Sequence, residues 1–348
     1  MSGRVIDFFS DTATVPTTEM RKAIMEATVG DDGRGLDPTA NRLELIASEI
    51  TGKEAALFVS SGTMGNLVAI LTHCNRGDEI IVGESSHIFC SEDGGASSLG
   101  GISYRTLKED RLGKLDLSEL ESALKPDGLH YSRTSMLSLE NTHNDRGGVA
   151  LTQDYTKEVA QIANQQCIPL HIDGARLFNA SVCLGTPVDI LVKDADSVSI
   201  SLSKGLCAPV GAVLCGSKAF VEIARRHRKV LGGGMRQVGM VAAAGIVALE
   251  TMVDRLADDH SNAKRLAVGL SRIDGISIDP DSVHTNLVYF DVCVNQPGKL
   301  AEKLEKDGVL GGSDQSRWRF VCYNGISQDD VDSTLDIIDS SIKGFAVN

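Results

Sequence analysis

The chain has 348 residues, and its hydrophobic content of 42% and charged content of 23% are typical of a soluble globular protein with a sizeable core. A formal net charge of −13 argues against a nucleic-acid partner or an acidic membrane surface, because both would require a basic patch. The sequence has no apolar run of membrane-spanning length, no CxxC pair and no histidine cluster at metal spacing. We therefore expect a reducing, cytoplasmic location without a metal site.

An N-terminal arm is predicted for residues 1–15, followed by a first helix with Thr17 or Thr18 as its N-cap. A loop rich in glycine and aspartate, residues 30–37, leads to a second predicted helix, residues 41–51. Strands then alternate with helices. The predicted strands cover residues 55–59, 79–83, 101–107, 135–140, 168–172, 198–202 and 212–215. The helices between them cover residues 67–74, 115–124, 152–165 and 188–192.

This alternation predicts an α/β fold, because strand–helix–strand units close with right-handed crossovers into a mostly parallel sheet. Loops at the carboxyl ends of such strands commonly form the binding site. We place the large domain at residues 16–252.

The C-terminal part of the chain has a different pattern of predicted elements. One long helix is predicted to run through residues 249–256, because Leu249, Met252, Val253 and Leu256 keep helical spacing, which resumes at Leu266 and Leu270. Beyond it we predict strands at residues 284–292 and 316–322 and helices at residues 299–308 and 328–342, the last with Ser327 as N-cap. These elements predict a small α+β domain over residues 253–348.

Lys204 has an unusual position at the end of an alternating apolar run and directly before small residues and a proline. This pattern predicts a tight, partly buried turn. Burial disfavours the ammonium form of a lysine, and a neutral amine can form a Schiff base with an aldehyde. From these residues alone, a solvated surface lysine is the alternative that stays open.

Two further segments offer groups for binding an anion and a ring nitrogen. The turn SSGTMGN, residues 60–66, lies between a predicted strand and a helix, where free N–H groups suit a phosphate, although such glycines often only make a tight turn. Asp173 ends a predicted strand and can pair with a protonated ring nitrogen or serve as a helix N-cap. Arg176 can clamp a carboxylate or simply cover the surface.

His87 and His130 each follow turn residues and can each act as a general base, although a lone histidine is more often structural. The glycine run that precedes Arg236 is too costly in chain entropy for a plain connector, and it can bring this arginine towards an anion. Together these residues match what pyridoxal phosphate requires of a protein: a lysine, a strand-end acid, a phosphate-binding turn, histidines and arginines.

At this point the sequence resembles the low-specificity L-threonine aldolases, which have the aspartate-aminotransferase-like fold, fold type I of the pyridoxal-phosphate-dependent enzymes. The resemblance covers nearly the whole chain. It rests on the motifs SDT (residues 10–12), GKEAALFVSSGTMGN (52–66), SLENTHN (138–144), HIDGARLFNAS (171–181), LSKGLCAPVG (202–211) and GGGMRQ (232–237). It implies a large domain with a seven-stranded, mostly parallel sheet and a small C-terminal α+β domain.

The resemblance also implies roles for the cofactor-binding residues. Lys204 would bond covalently to pyridoxal phosphate, and Asp173 would pair with its ring nitrogen. His87 would stack on the ring, with Arg176 also near the cofactor. The phosphate would be held by Ser61, Gly62 and Thr63, with Arg236 reaching in from a neighbouring subunit.

For the substrate, the resemblance implies a β-hydroxy amino acid whose carboxylate is held by Ser10, Arg176 and Arg319. His87 and His130 would lie near its β-hydroxyl. The implied reaction is retro-aldol cleavage of L-threonine or L-allo-threonine to glycine and acetaldehyde. The implied assembly is a homotetramer, a dimer of dimers with shared active sites.

Three positions depart from the pattern of this family, namely Phe9, Arg34 and Tyr323. They keep an amino-acid racemase, which would use the same cofactor contacts on alanine, as the alternative function. A third hypothesis is a protein that binds the cofactor without catalysing a reaction. It is disfavoured because Lys204, Asp173 and both histidines, His87 and His130, are all present.

Overall fold

The computed structural model of the protein describes residues 4–125 and 128–347. The chain divides into two compact units. The larger is Val15–Val253, and the smaller groups the N-terminal residues up to Thr14 with the chain from Asp254 onward. The sequence did not indicate that the N-terminal arm belongs with the C-terminal residues, and the boundary placed at residue 252 stays a prediction. Among the described residues, none of the helices combines the length and the apolar character that a bilayer crossing needs.

The strands are, in chain order, β1 (Ile6–Asp7), β2 (Ala55–Val59), β3 (Glu79–Gly83), β4 (Ser103–Leu107), β5 (Thr134–Glu140), β6 (Leu170–Asp173), β7 (Ser197–Ser201), β8 (Ala212–Gly216), β9 (Ile276–Ser277), β10 (Leu287–Val292), β11 (Val309–Leu310), β12 (Gly312–Asp314) and β13 (Arg317–Val321). The helices are α1 (Thr18–Glu26), α2 (Pro38–Thr51), α3 (Gly62–His73), α4 (His87–Cys90), α5 (Leu117–Ala123), α6 (Gln153–Gln165), α7 (Leu177–Leu184), α8 (Val188–Val192), α9 (Lys218–Val230), α10 (Gly239–Thr251), α11 (Leu256–Leu270), α12 (Pro297–Lys306) and α13 (Gln328–Ile342).

The larger unit is built on a seven-stranded sheet with the order β2-β8-β7-β6-β5-β3-β4. Only β8 runs antiparallel to its neighbours among these strands. β3, β5, β6, β7 and β8 are buried along their whole length, as expected for a sheet covered by helices on both faces. The mostly parallel seven-stranded α/β fold predicted from the sequence is confirmed.

The topology brings several strand ends to one edge of this sheet. β5 and β6 are parallel neighbours in which Glu140 pairs with Asp173, the last residues of their strands. Asp173 is in turn opposite Ser199 of β7, and Lys204 follows that strand by three residues. α3 starts from the same edge, because it begins three residues after β2 ends. The carboxyl edge of the sheet therefore brings together Asp173, Lys204 and the turn that starts α3.

Local sequence signals set several helix ends. The Thr17 hydroxyl accepts a hydrogen bond from Met20 N at 3.2 Å and caps α1, as predicted. α2 ends at Gly52, which has a φ of 63° in the left-handed region that glycine tolerates best. Ser327 and Asp330 form a reciprocal capping box at the start of α13, which confirms Ser327 as N-cap.

The smaller unit combines a four-stranded antiparallel sheet, β12-β13-β10-β9, with α11, α12 and α13, while β1 pairs in parallel with β11. Its largely aliphatic core contains a cluster of aromatic rings. Phe8 stacks on Phe320 at 5.1 Å between ring centroids, and Phe290 meets the edges of Phe320 and Trp318. This unit has the predicted α+β character.

The single long helix predicted through residues 249–256 was wrong. α10 ends at Thr251 and α11 begins at Leu256, with a turn between them. Met252 and Leu256 are nevertheless both buried. The apolar residues kept helical spacing because they are buried on both sides of the turn. Such spacing does not show that one helix continues through it. The sequence had also not been predicted to form α9, whose last turn carries the basic residues His227, Arg228 and Lys229.

Candidate active site

Asp173 is a buried carboxylate, 3% exposed, at the carboxyl edge of the sheet. Its Oδ1 accepts a hydrogen bond from Ala175 N at 3.0 Å, and its Oδ2 accepts one from Asn66 Nδ2 at 2.9 Å. Asn66 lies in the second turn of α3 and is itself buried. The protein therefore supplies two donors that stabilise a negative charge on Asp173.

A chain of hydrogen bonds behind Asn66 fixes the orientation of its amide. His171 Nε2 lies 3.2 Å from Asn66 Oδ1, His171 Nδ1 lies 2.9 Å from Ser197 Oγ, and His73 Nε2 lies 2.8 Å from the same hydroxyl. Burial lowers the pKa of His171 to about 3 and that of His73 to about 4, so both rings are neutral near pH 7. An amide oxygen only accepts, so His171 donates from Nε2 and accepts from the Ser197 hydroxyl at Nδ1.

His87 begins the short helix α4 and is held at two points. Its backbone N–H donates to Glu140 Oε2 at 2.7 Å, and its Nδ1 lies 3.0 Å from Glu92 Oε1. The same Glu92 oxygen accepts a hydrogen bond from Asn66 Nδ2 at 2.8 Å. The hydrogen bond to Glu92 raises the pKa of His87 above its ordinary value, although burial opposes it. Burial raises the pKa of Glu92 as well.

Lys204 lies on the tight turn that the sequence predicted, and its side chain is half-buried. The Lys204 carbonyl accepts a hydrogen bond from Cys207 N at 2.9 Å, and Leu202 N donates to Gly211 O across the turn at 3.0 Å. Asp173 and Lys204 both act on the imidazole of His87, since the Asp173 charge raises its pKa and the Lys204 charge lowers it. The lysine, the acid and the histidine therefore lie within electrostatic reach of one another.

The start of α3 has room for an anion. Ser61 caps the helix through Met64 N at 3.1 Å, and Ser61 and Thr63 are exposed. A Cβ added at Gly62 would meet no heavy atom within 4 Å, so the space beside the first turn is open. The first N–H groups of a helix have no intrahelical partners and carry the positive end of its dipole. This arrangement suits a phosphate group.

Arg176 belongs to the same edge and is 6% exposed. Its Nη1 donates to Asn144 Oδ1 at 3.1 Å. Asn144 N in turn donates to Glu140 Oε1 at 2.8 Å, so Glu140 contacts the backbone of both His87 and Asn144. Burial raises the pKa of Glu140. Glu140 thus connects the predicted base with the side chain that orients the predicted carboxylate clamp.

The ligand atoms of His87, Glu92 and Asp173 lie within 4.8 Å of one another, a spacing that a metal ion could use. The Asn66 amide donates to both carboxylates, and the imidazole contacts one of them. Hydrogen bonds therefore account for the approach of these three groups.

Arg236 lies apart from this cluster, on the loop after α9. Its side chain is 66% exposed and its Nη1 lies 3.6 Å from Asp31 Oδ1. It lines a cavity of about 690 Å³ whose other basic residues are Arg225, Arg226, Arg228 and Lys229. Arg228 is buried and pairs with Asp32, Nη2 to Oδ2, at 2.6 Å. That Arg236 binds an anion stays a prediction.

The structure does not bring His130 to the site within one chain. His130 is exposed and precedes the amino end of β5, whereas Glu140 and Asp173 lie at carboxyl ends of the parallel strands. Seven strand residues span about 20 Å, so His130 lies at the opposite edge of the sheet. The periodicity showed that a strand follows His130 but not which end of that strand faces the site. A role for His130 stays a prediction that requires a second chain.

Ser10 and Arg319 lie in the smaller unit, and both are next to Phe9, one along the chain and one through a hydrogen bond. The Ser10 hydroxyl accepts hydrogen bonds from Thr12 N at 3.2 Å and Thr12 Oγ1 at 2.9 Å, and Arg319 Nη2 donates to the Phe9 carbonyl at 3.1 Å. The Phe9 side chain is 58% exposed. Among the other departures, Arg34 is exposed in the larger unit and Tyr323 is buried in the smaller one.

A family model described as beta-eliminating lyase matches residues 7–293, which is most of the chain. The chain belongs to the beta-eliminating lyase family. Relatives in this family include low-specificity L-threonine aldolase 1 of Arabidopsis thaliana, 47% identical over 344 residues and 95% of both chains. The low specificity L-threonine aldolase of Escherichia coli strain K12 is 44% identical over 306 residues, 88% of this chain and 90% of the relative.

Among solved structures, a threonine aldolase of Leishmania major superposes with a TM-score of 0.83 over 96% of this chain and 98% of that chain, at 18% identity. A serine palmitoyltransferase of Sphingomonas wittichii superposes with a TM-score of 0.78 over 99% of this chain and 88% of that chain, at 19% identity. These likenesses show the fold alone. They confirm the predicted fold class, fold type I of the pyridoxal-phosphate-dependent enzymes.

Sequence reasoning missed three residues of the site, Asn66, Glu92 and Glu140. Asn66 and Glu140 stand inside motifs that were recognised, SSGTMGN and SLENTHN, so their position was visible but their function was not. Glu92 lies in a segment that was assigned no role. Only the fold shows that its carboxylate meets His87 and Asn66.

Proposed function

We propose that the protein is a pyridoxal-phosphate-dependent aldolase that cleaves L-threonine and L-allo-threonine to glycine and acetaldehyde. The observation that carries the proposal is the meeting of Lys204, Asp173 and the His87–Glu92 pair at the carboxyl edge of one sheet. Relatives of up to 48% identity that bear the name low-specificity L-threonine aldolase support it.

The residues at the sheet edge fit the cofactor. Lys204 provides an amine for its aldehyde, Asp173 a buried carboxylate for its ring nitrogen, and Ser61, Gly62 and Thr63 an open helix start for its phosphate. When bound, pyridoxal phosphate withdraws the electrons of a bond at the substrate Cα. Asn66 and Ala175 donate to Asp173 and hold its carboxylate in place, where it would pair with the ring nitrogen.

The remaining residues orient the substrate and move its proton. Arg176 presents a planar guanidinium, which Asn144 holds in place and which suits bidentate binding of the substrate carboxylate. His87, His130 or a water they hold takes the proton of the β-hydroxyl, and of the two histidines His87 is the one that lies beside Asp173 in this chain. We also propose that Ser10 and Arg319 bind the substrate carboxylate. Arg236 would bind the cofactor phosphate from a second subunit.

The decisive experiment measures acetaldehyde released from L-threonine and L-allo-threonine by the purified protein with cofactor, with phenylserine as a third β-hydroxy substrate. We expect release from both threonine isomers by the wild type, and none by the Lys204→Ala variant. The racemase alternative is tested by incubating the protein with L-alanine in deuterated water. Exchange at Cα or D-alanine formation without acetaldehyde release would replace the aldolase by a racemase.

We further propose a cytoplasmic homotetramer in which dimers share active sites. The acidic composition and the absence of a cysteine framework support the compartment, and the exposed position of Arg236 supports the sharing. Sedimentation equilibrium tests the assembly. A monomer that cleaves threonine at full rate would contradict it.

A further inference from the structure

Glu92 and His87 form a hydrogen-bonded pair whose direction follows from the groups around it. Glu92 is 7% exposed, and its Oε1 lies 2.8 Å from Asn66 Nδ2 and 3.0 Å from His87 Nδ1. His171 donates to the Asn66 carbonyl, so the Asn66 group that faces Glu92 is the NH₂. Glu92 therefore acts as an acceptor in this network.

A carboxylate oxygen that already accepts from Asn66 provides a further acceptor site for His87, so the hydrogen on the shared axis belongs to His87 Nδ1. The ring is thereby held with Nδ1 protonated towards Glu92. His87 Nε2 has no hydrogen-bond partner among residues 4–125 and 128–347. This nitrogen is the one at which the ring can accept or release a proton.

We propose that Glu92 is a positioning residue, which fixes His87 in the Nδ1–H form so that Nε2 accepts the β-hydroxyl proton of the substrate. This inference rests on the proposed aldolase function, and it assigns the proton to one atom. The proton passes from the hydroxyl oxygen to Nε2 as the Cα–Cβ bond breaks and the carbonyl of the aldehyde forms. The electron pair of the broken bond would be taken up by the cofactor of the proposed function, and a proton added at Cα would then give glycine.

The charge of Glu92 has a second effect on the same ring. The groups that face His87 are Glu92, Asp173 and Lys204, and Glu140 binds its backbone N–H. Glu92 and Asp173 raise the pKa of the imidazole, whereas Lys204 lowers it. Removal of the Glu92 charge, with the other groups kept, should therefore lower the pKa of His87 and weaken it as a base.

The test compares Glu92→Gln and Glu92→Ala with the wild type in the full-length holoenzyme. Glutamine keeps an oxygen that can accept from Asn66 and from His87, but it has no charge. Alanine removes both the charge and the acceptor. Glu84→Gln is the matched control. Glu84 is exposed and lies three residues before His87, and the substitution also removes one glutamate charge.

The first measurement is the ¹⁵N chemical shift of both His87 ring nitrogens as a function of pH, in protein labelled at histidine and assigned with a His87→Gln variant. We expect Nδ1 to stay protonated in the wild type while Nε2 titrates. In Glu92→Gln the titration should move to lower pH. In Glu92→Ala the preference for protonation at Nδ1 should be lost, while Glu84→Gln should match the wild type.

The second measurement is the pH profile of kcat/KM for L-threonine. The acidic limb should move to lower pH in Glu92→Gln. The plateau should fall by less than the roughly hundredfold that complete loss of a general base costs, because His87 remains as a weaker base. A purely structural role for Glu92 would lower stability without moving the limb.

Unchanged ring titration and an unchanged acidic limb in both Glu92 variants, in an enzyme that cleaves threonine, would overturn the role of Glu92 alone. A wild type that holds cofactor but releases no acetaldehyde would overturn the proposed function instead, and the ¹⁵N titration would still report whether Glu92 fixes the ring.

Discussion

The buried histidines of the larger unit should make its stability sensitive to acid. His171 is fully buried with a pKa of about 3, and His73 has a pKa of about 4, in both cases because burial disfavours the charged ring. Both folded-state values lie below the ordinary value of about 6.5. The unfolded chain therefore binds more protons than the folded one below about pH 6.5, and stability falls as the pH falls.

The magnitude follows from this linkage. Each proton taken up only by the unfolded state costs about 1.4 kcal/mol per pH unit. Between about pH 6.5 and pH 5 each of the two histidines therefore lowers the free energy of unfolding by about 2 kcal/mol. A His171→Gln variant cannot be protonated at this position, but it can still donate an amide N–H to Asn66. It should lose about 2 kcal/mol less than the wild type between pH 7 and pH 5.

The assay is urea unfolding followed by far-ultraviolet circular dichroism at pH 7 and at pH 5. Tryptophan fluorescence is unsuitable, because the single tryptophan, Trp318, belongs to the smaller unit. His284→Gln is the control, since His284 is exposed. If the wild type and His171→Gln lose the same free energy of unfolding between the two pH values, His171 is not held neutral by burial and the reasoning is refuted.

Three further substitutions test the packing and the site. Gly65→Ala would place a Cβ in steric conflict with Ser199 Oγ and should cost about 1–3 kcal/mol in urea unfolding, whereas Gly62→Ala should leave stability unchanged and weaken cofactor binding in an absorbance titration. Asp32→Ala leaves Arg228 buried without its partner and should cost about 3–5 kcal/mol, more than the double variant Asp32→Ala with Arg228→Met. Arg176→Lys should raise the KM for threonine on the order of tenfold, because lysine cannot make a bidentate contact.

A different result would contradict each of these three predictions. If Gly65→Ala and Gly62→Ala were equally stable, the start of α3 would relax around the added methyl group at no cost. A double variant no more stable than Asp32→Ala would mean that the arginine charge is not what destabilises the single variant. A fall in kcat at unchanged KM would remove Arg176 from ground-state carboxylate binding.

Much of the fold could be predicted because its signals are local. The Thr17 cap, the left-handed Gly52 and the Ser327 capping box each depend on residues within a turn of one another. The alternation of apolar strands with helices was enough for a mostly parallel sheet. The turn at residues 252–255 escaped prediction, because buried side chains on both sides of it kept helical spacing.

The site was harder to predict because its contacts join distant parts of the chain. Asn66 and Asp173 are 107 positions apart, and His87 and Glu140 are 53 positions apart. Residue type and motif indicated Asp173 and His87. Glu140 was recognised only as the end of a strand, because hydrogen bonds formed after folding give it its partners.

The central claim is that Lys204 carries the cofactor, and reduction with borohydride tests it most directly. The holoenzyme is reduced, digested and examined by mass spectrometry, with the Lys204→Ala variant treated in parallel. We expect one pyridoxyl-modified peptide, with the modification on Lys204, and no such peptide from the variant. A modification on another lysine, or none in a protein saturated with cofactor, would contradict the account.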